Sequence, residues 1–475
     1  MKKIFILFTT IACLGTSAFG KTVDVATAKI VAANQYKKAG GSADLELAYT
    51  ATSKVNGADV AAYYVFSATA GNGFVIVSAD DVVKPILAYS VESSFPTDNL
   101  SPEVAYWLAG YQQHIVNVIK KQSVTEANAG WSVLKSGATA AKTTNTAVAA
   151  LLTTAWDQTY YYNRLCPFDA SANQNTVTGC VATAMGQVMK YWNWPIVGEG
   201  SHSYNSPYGT LTANFGTTYY NWPTMHNVVT QAHSDADTLI FDAGVSVNMN
   251  YGTAAAGGSG ASVFGNNYPC AEKALRSNFR YVSTLHGEQR SDYATADWIT
   301  LLKGELDSSR PMLYVGYGPA GGHCWVCDGY DVNNNFHFNW GWSGVYNGYY
   351  SVDSLEPGGP GGDSFNDYTG AVVGIMPDSS NSGIYPASIG NIGTVQMSVS
   401  VYPNPAKDII TIAAANNQHI STVTLTDMSG RAISVYNAEN NPNTTLPLAN
   451  VAEGMYLLQV QTENGITTKK IVVSK

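Results

Sequence analysis

The stretch TVTGCVATAMGQVMKYWNWP, Thr176 to Pro195, sets a cysteine where a sulfur nucleophile would be activated. Val181, Ala184, Met185, Val188, Met189 and Trp192 recur at spacings of three and four, which predicts a buried helix face ending before Pro195. With Thr178 as N-cap, Cys180 falls in the first turn. Free backbone amides and the helix dipole there favour a thiolate, and the same amides can receive an oxyanion. A small buried cysteine at a helix start is the competing reading. A second stretch, VGYGPAGGHCWVCDGYD, leads through two glycines into His323 at the start of an apolar alternating strand, where an imidazole faces a cleft rather than the core. In a third, NFHFNWGWSGVYNGYYSVDSL, Asn339 directly precedes Trp340. The Asn339 amide can accept the Nδ1 proton of His323, and Trp340 can shield the pair from water. A turn-forming role competes for Asn339, and His337 reads as structural.

These stretches need a scaffold, and 475 residues supply about three domains. Only 12% of residues are charged, while Gly (44), Tyr (30) and Trp (10) favour strands, turns and aromatic-walled grooves. The net charge of −9 argues against a phosphate-tracking nucleic-acid binder and a polybasic membrane contact.

Lys2 and Lys3 precede an apolar stretch from Ile4 to Gly15, with Ala18 and Gly20 placed for signal-peptidase cleavage after Gly20. That stretch is shorter than the roughly 20 residues a membrane span needs. Lipidation at Cys13 is disfavoured because Thr10 stands where an aliphatic residue is usual. Cys166, Cys180, Cys270, Cys324 and Cys327 remain, and an odd number in an exported chain suggests a free thiol. Cys324 and Cys327, three apart on a strand, point to opposite faces and read as half-buried thiols rather than a redox pair or half a metal site. A bridge between Cys166 and Cys270 stays open.

Strand-like runs at Ala61–Ala68 and Gly73–Ser78 and a helix from Pro102 to about Ile119, opened by Ser101-Pro102-Glu103, suggest a small α+β unit with no catalytic cluster. Lys135–Ala149 is poor in bulky residues and reads as an exposed linker. After a second linker, DSSNSGIYPASIGNIG, alternating runs at Ile409–Ile412, Val423–Thr426, Met455–Gln461 and Thr467–Val473, with turns at Ser429-Gly430 and Asn464-Gly465, predict a β-sandwich.

The three motifs together resemble those of the streptopain family, the papain-fold cysteine peptidases that include interpain. Their order, cysteine then histidine about 140 residues later, is that of papain-like thiol proteases. The resemblance spans roughly Leu151 to Pro377. AWDQTYYYNRLCP resembles the family's mature N-terminus, with Tyr161 where proline is expected, and Glu356–Gly370 resembles its mobile active-site loop. Cys324 replaces the small apolar residue usual after the histidine, a change that bears on redox sensitivity.

The resemblance implies an α+β chain: a papain-like domain with a helical subdomain and an antiparallel β subdomain, preceded by an α+β propeptide and followed by a β-sandwich. The expected boundaries are signal 1–20, inhibitory propeptide 21–145, catalytic domain 146–377, linker 378–395 and sorting domain 396–475. Cys180 would be the nucleophile and His323 the general base and acid, with Asn339 and Trp340 in support. The oxyanion donors would be the Cys180 amide and Gln174, six residues upstream as in papain; Gln158, in the Trp-x-Gln motif, is the other candidate. No metal or organic cofactor is expected, only reducing conditions. GFVIVSADDVVKPILAYS resembles the family propeptide, with Lys142 a candidate processing site, and VYPNPAKDIITI through TTKKIVV resembles the sorting domain of type IX secretion. The implied partners are protein or peptide substrates, the chain's own propeptide and the type IX machinery, with no nucleic acid. Bulky apolar residues next to the cleaved bond are the implied preference, and the destination is the cell surface or medium. The alternatives are a catalytically inactive papain-fold surface or inhibitory protein, and a thiol-dependent acyl transferase or amidase.

Overall fold

The computed structural model describes residues 21–474, apart from 99, 122–126, 138–145, 231–234, 266–268, 319–320, 354–368, 379–398, 415–418, 428–431, 450 and 463–464. The signal segment, Lys142, most of Glu356–Gly370, nearly all of the second linker, the Ser429-Gly430 turn and Asn464 lie outside the described residues. Two compact units divide the chain, residues 1–383 and 384–475. Among the described residues no helix is long and apolar enough to cross a membrane.

The first unit opens with α1 (Val25–Lys38), whose N-cap Asp24 accepts the Thr27 amide at 2.7 Å. Strands β1 (Leu45–Val55) and β2 (Ala58–Ala68) form a hairpin closed by Asn56-Gly57, both at positive φ, the turn chemistry that matches strand twist. β3 (Phe74–Ser78) and β4 (Ile86–Ser90) complete a meander. Helix α2 (Pro102–Lys121) confirms the predicted run, with Ser101 accepting the Val104 and Ala105 amides. α3 (Gly130–Ser136) follows.

The middle segment adds the hairpin β5 (Phe168–Asp169) and β6 (Gln174–Asn175), then α4 (Cys180–Trp192), β7 (His202–Ser206), β8 (Gly209–Ala213), α5 (Asp235–Ser246) and α6 (Ala271–Ser277). It closes with β9 (His286–Gln289), α7 (Thr295–Asp307), β10 (Met312–Gly318), β11 (Gly321–Tyr330), β12 (Asn335–Asn339), β13 (Gly348–Ser351) and β14 (Thr369–Val373). One antiparallel sheet of ten strands, in the order β1-β2-β3-β4-β13-β12-β11-β10-β14-β9, runs through both halves of the unit. The join is β4 on β13, where Tyr89 pairs with Tyr349 and their rings stack at 5.2 Å. The Tyr111 hydroxyl from α2 lies 2.8 Å from the carbonyl oxygens of Leu87 and Ser351, stitching the join from one face.

Alternation along β11 builds two cores. Cys324 and Val326 face the helical side, with Val181, Met185 and Val188 of α4 and Leu239 of α5. Trp325 and Cys327 face the other side, in one core with Trp107 and Tyr111 of α2, Phe338 and Trp340. Trp107 meets the Phe338 ring edge-on at 5.0 Å and Trp325 at 5.7 Å. The N-terminal segment therefore shares a continuous core with the sheet it docks on.

All five described cysteines are free thiols and buried, so Cys166 and Cys270 are unbridged, and Cys324 and Cys327 are fully rather than half buried. Their opposite-face placement holds.

The second unit packs a three-stranded sheet of β15 (Val399–Tyr402), β16 (Ile409–Ala414) and β19 (Asn443–Pro447) with a four-stranded sheet of β17 (Ile420–Asp427), β18 (Ala432–Asn441), β20 (Gly454–Thr462) and β21 (Gly465–Val473). Ile410, Ile412, Val423, Leu425, Leu458 and Val460 fill the core between them, the expected sandwich. Three of its strands, β15, β18 and β19, lay outside the predicted runs.

Candidate active site

Cys180 opens α4, as its position before the apolar periodicity predicts, but the N-cap is Gly179 at φ 88° and not Thr178. A Cβ at Gly179 would stand 2.7 Å from the Met249 sulfur, so both the conformation and the packing require glycine. Thr178 instead shares a hydrogen bond with the Thr183 hydroxyl at 2.8 Å, which ties the entry loop to the first turn.

β11 brings His323 to the same place. The Cys180 thiol, an imidazole nitrogen of His323 and a carboxylate oxygen of Glu103 all lie within 4.8 Å of one another. His323 Nδ1 is 3.4 Å from Glu103 Oε1, and the Trp342 indole donates to Glu103 Oε2 at 3.0 Å. Glu103 belongs to α2 of the N-terminal segment, in which sequence reasoning saw no catalytic-site group. Its signal was spacing: Glu103, Trp107 and Tyr111 follow one another at intervals of four, and the last two are fully buried.

Burial and this carboxylate together reverse the state expected of the Cys180 thiol. Burial first, and then Glu103, push the Cys180 thiol up to about 12, while the amides of Cys324, Val181 and Cys180 act in the opposite direction. The helix-start effect is present and outweighed. A thiolate beside a buried carboxylate is disfavoured, so burial and Glu103 together favour the thiol form of Cys180.

Asn339 is buried near the end of β12, yet its hydrogen bonds go elsewhere than expected. Its Nδ2 donates to Thr154 O at 2.7 Å, and its Oδ1 accepts from Gln187 Nε2 at 3.1 Å and the Gly341 amide at 3.2 Å. His323 directs Nδ1 to Glu103, and Nε2 is buried without a partner. Gln187, on α4 two turns beyond Cys180, also accepts the Thr154 hydroxyl at 2.8 Å and so links the cysteine helix to the asparagine strand. Trp340 is buried against Trp325 at 4.7 Å between ring centres.

The two glutamines separate clearly. Gln174 is exposed on β6 and lines a cavity of about 440 Å³ with Tyr160, Tyr161, Phe168 and Val177, so the choice of Gln174 as oxyanion donor is not matched by its position. Gln158 is buried, its Nε2 has no partner, and its carbonyl accepts the Thr178 amide at 2.9 Å, two residues before the cysteine. The β5–β6 hairpin carries Gln174 to the surface.

His337 is structural, as expected, and also joins the two segments. Its Nδ1 donates to the buried Asp328 at 2.6 Å and its Nε2 to Glu92 of the N-terminal segment at 2.7 Å, so the ring is an imidazolium. Burial works to lower its pKa, but Asp328 and Glu92 outweigh that and raise it to about 10 from the usual 6.5. The hydrogen bond from His337 in turn lowers Glu92 below 4.5. The His337 contribution to stability is fully present below pH 6.5 and lost as pH rises through about 10; that of Glu92 is present above pH 4.5 and lost at more acid values. Glu92→Gln should therefore lower stability by about 1 kcal/mol or less, since Glu92 is half exposed. It should also flatten the decline of Tm between pH 6.5 and 10. Thermal melts of parent and variant across that range check it.

Comparison with known proteins bears on each segment. Residues 156–350 match the Peptidase C10 family, residues 20–115 the Spi protease inhibitor, and residues 400–474 a secretion system C-terminal sorting domain. Streptopain of Streptococcus pyogenes is 35% identical over 347 residues, 66% of this chain and 80% of its own length. The thiol protease/hemagglutinin PrtT of Porphyromonas gingivalis is 34% identical over 346 residues, 69% of this chain; the chain spans 38% of that relative's length. Among solved structures, a prointerpain A fragment of Prevotella intermedia superposes with a TM-score of 0.55 at 30% identity, covering 68% of this chain and 98% of the fragment. The chain belongs to the Peptidase C10 (streptopain) family of cysteine peptidases, exported as zymogens.

Proposed function

We propose that Cys180 and His323 are the catalytic pair of this peptidase and that Glu103 is the group that silences them. The observation that carries this reading is the convergence of the three side chains within 4.8 Å from α4, β11 and α2. Once the propeptide leaves, the Glu103 charge and part of the burial leave with it, and both causes that raise the thiol pKa diminish. His323 then takes the thiol proton and the Cys180 sulfur attacks a peptide carbonyl. The carbonyl oxygen becomes an oxyanion, received by the Cys180 amide and by Gln158 Nε2, which is buried and unpaired in the zymogen. The intermediate collapses, His323 protonates the leaving amine, and a thioester remains. His323 next deprotonates a water, whose attack releases the acid and restores the thiol. In the mature site Asn339 orients the ring through Nε2, the nitrogen left without a partner here, and Trp340 shields them.

The cavity walled by Tyr160, Tyr161, Phe168 and Val177, just before the nucleophile in sequence, suits a bulky apolar substrate side chain. The proposed propeptide is 21–145, cut within the linker 135–149; the catalytic domain is 146–377, and the linker 378–395 leads to the sorting domain 396–475, which delivers the chain to type IX secretion. Protein substrates are the intended partners, and no organic cofactor enters the chemistry.

The test is covalent labelling. An epoxide thiol inhibitor should modify Cys180 alone among the five cysteines of the mature domain and stop casein hydrolysis in proportion to labelling. Activity that survives full modification of Cys180 would refute the assignment. For the oxyanion donor, Gln158→Ala should lower kcat by about 10²–10³-fold with little change in KM, and Gln174→Ala should leave kcat within about twofold. Steady-state kinetics on one peptide decides between them.

A further inference from the structure

Glu103, Cys180 and His323 offer one oxygen, one sulfur and one nitrogen ligand within 4.8 Å of one another. Glu103 and Cys180 are buried, and the His323 side chain is 12% exposed. Three protein ligands of these types, with a water in the fourth position, are a set that tetrahedral Zn²⁺ accepts at bond lengths of about 2.0–2.3 Å. Ligand atoms around such an ion stand about 3.3–3.8 Å apart, and His323 Nδ1 is already 3.4 Å from Glu103 Oε1.

We propose that the zymogen binds a thiophilic divalent cation of the Zn²⁺ class between Glu103, Cys180 and His323, and that this ion bolts the propeptide over the nucleophile. Electrostatics favour it. The sulfur, the carboxylate oxygen and the imidazole nitrogen converge where little solvent reaches them. A dication suits that place: the thiol proton leaves to solvent, the sulfur binds the metal, and thiolate, carboxylate and neutral imidazole leave no net charge. The thiolate selects Zn²⁺ over Mg²⁺ and Ca²⁺. The Trp342 hydrogen bond holds Glu103 Oε2 and leaves Oε1 facing the centre, a supporting contact of the kind that orients metal ligands. One ligand comes from the propeptide and two from the catalytic domain, so maturation removes a third of the coordination by the protein. The mature enzyme keeps only a two-ligand remnant.

The binding part stands apart from the peptidase reading, because it is measured without turnover. The full-length zymogen carrying Gln158→Ala keeps all three ligands, and Co²⁺ serves as the probe. Its addition should give a thiolate-to-cobalt charge-transfer band and the visible bands of a tetrahedral ion, both displaced by stoichiometric Zn²⁺. On the same background, Glu103→Ala and the shape-preserving Glu103→Gln should weaken Zn²⁺ binding by at least about tenfold, and Cys180→Ala should abolish the charge-transfer band. Absence of the band in the parent, or unchanged affinity in both Glu103 variants, overturns the site. In the wild-type zymogen, stoichiometric Zn²⁺ should slow self-processing at least about tenfold and a chelator should restore it. Equal slowing of Glu103→Gln would show that the metal acts on cysteine and histidine alone and overturns the bolt.

Discussion

Cys180→Ala is expected to leave the purified zymogen uncut and to lower casein hydrolysis by at least about 10⁴-fold, because no thioester can form at position 180 without the sulfur. The fold should survive the change. Cys180 is a small buried side chain whose thiol gains nothing from ionisation in the zymogen, where burial and Glu103 hold it protonated. N-terminal sequencing of parent and variant after equal incubation reads out self-processing, and near-identical Tm values exclude misfolding as the cause. A variant that matured and digested casein at the parental rate would return the chain to the inactive surface-protein reading. One that lost water as acceptor but transferred acyl groups to amines is not compatible with this substitution, since both reactions need the sulfur.

Trp107→Ala should open the zymogen. Trp107 is 1% exposed and meets Tyr314, Trp325, Phe338 and Trp340 across the join between propeptide and catalytic sheet. Truncating a tryptophan in such a core costs about 3–5 kcal/mol. Because the ring sits between the two segments, most of that loss falls on docking, and each 1.4 kcal/mol is tenfold in the docking equilibrium. Cys180 in the variant should react with an epoxide inhibitor at least about 10²-fold faster than in the parent zymogen, with Trp107→Phe in between. Labelling at the parental rate would show that the aromatic cluster is not what keeps the propeptide in place.

The parts that could be read from residues alone are those whose information is local. Helix α4 announces itself by the apolar series from Val181 to Trp192, and Cys180 at its start needs no partner to be noticed. His323 is marked by the glycines before it. The sandwich tail shows period-two alternation, which is why its strongest strands were found and β15, β18 and β19, shorter or more polar, were not.

What was hidden depends on meetings between distant residues. Glu103 looks like a helix-opening acid, and only the register that lines it up with Trp107 and Tyr111 reveals that it points inward. Gln174 satisfies a spacing borrowed from another loop, but the two-stranded hairpin ending at Asn175 spends that spacing on a surface turn. Asn339 stands out by its place before Trp340, while its bonds to Thr154 and Gln187 do not, since they require α4 and the chain before it to be already in place. The free state of Cys166 and Cys270 likewise follows from where helices pack, not from their number.

The ten-stranded sheet has a consequence for how the molecule comes into being. β1 to β4 are neighbours in sequence and pair by short connections, so they can form while the rest of the chain is still being made. β13 stands far later in the chain than its partner β4, with Tyr89 opposite Tyr349. The N-terminal meander thus offers a ready-made edge to the last part of the catalytic sheet. A catalytic domain synthesised without it must close the loops from β9 to β14 with one edge unpaired and an aromatic face wet. Cutting the propeptide after folding and omitting it before folding are therefore different operations, and the second is expected to refold more slowly, which refolding kinetics of the two chains would check.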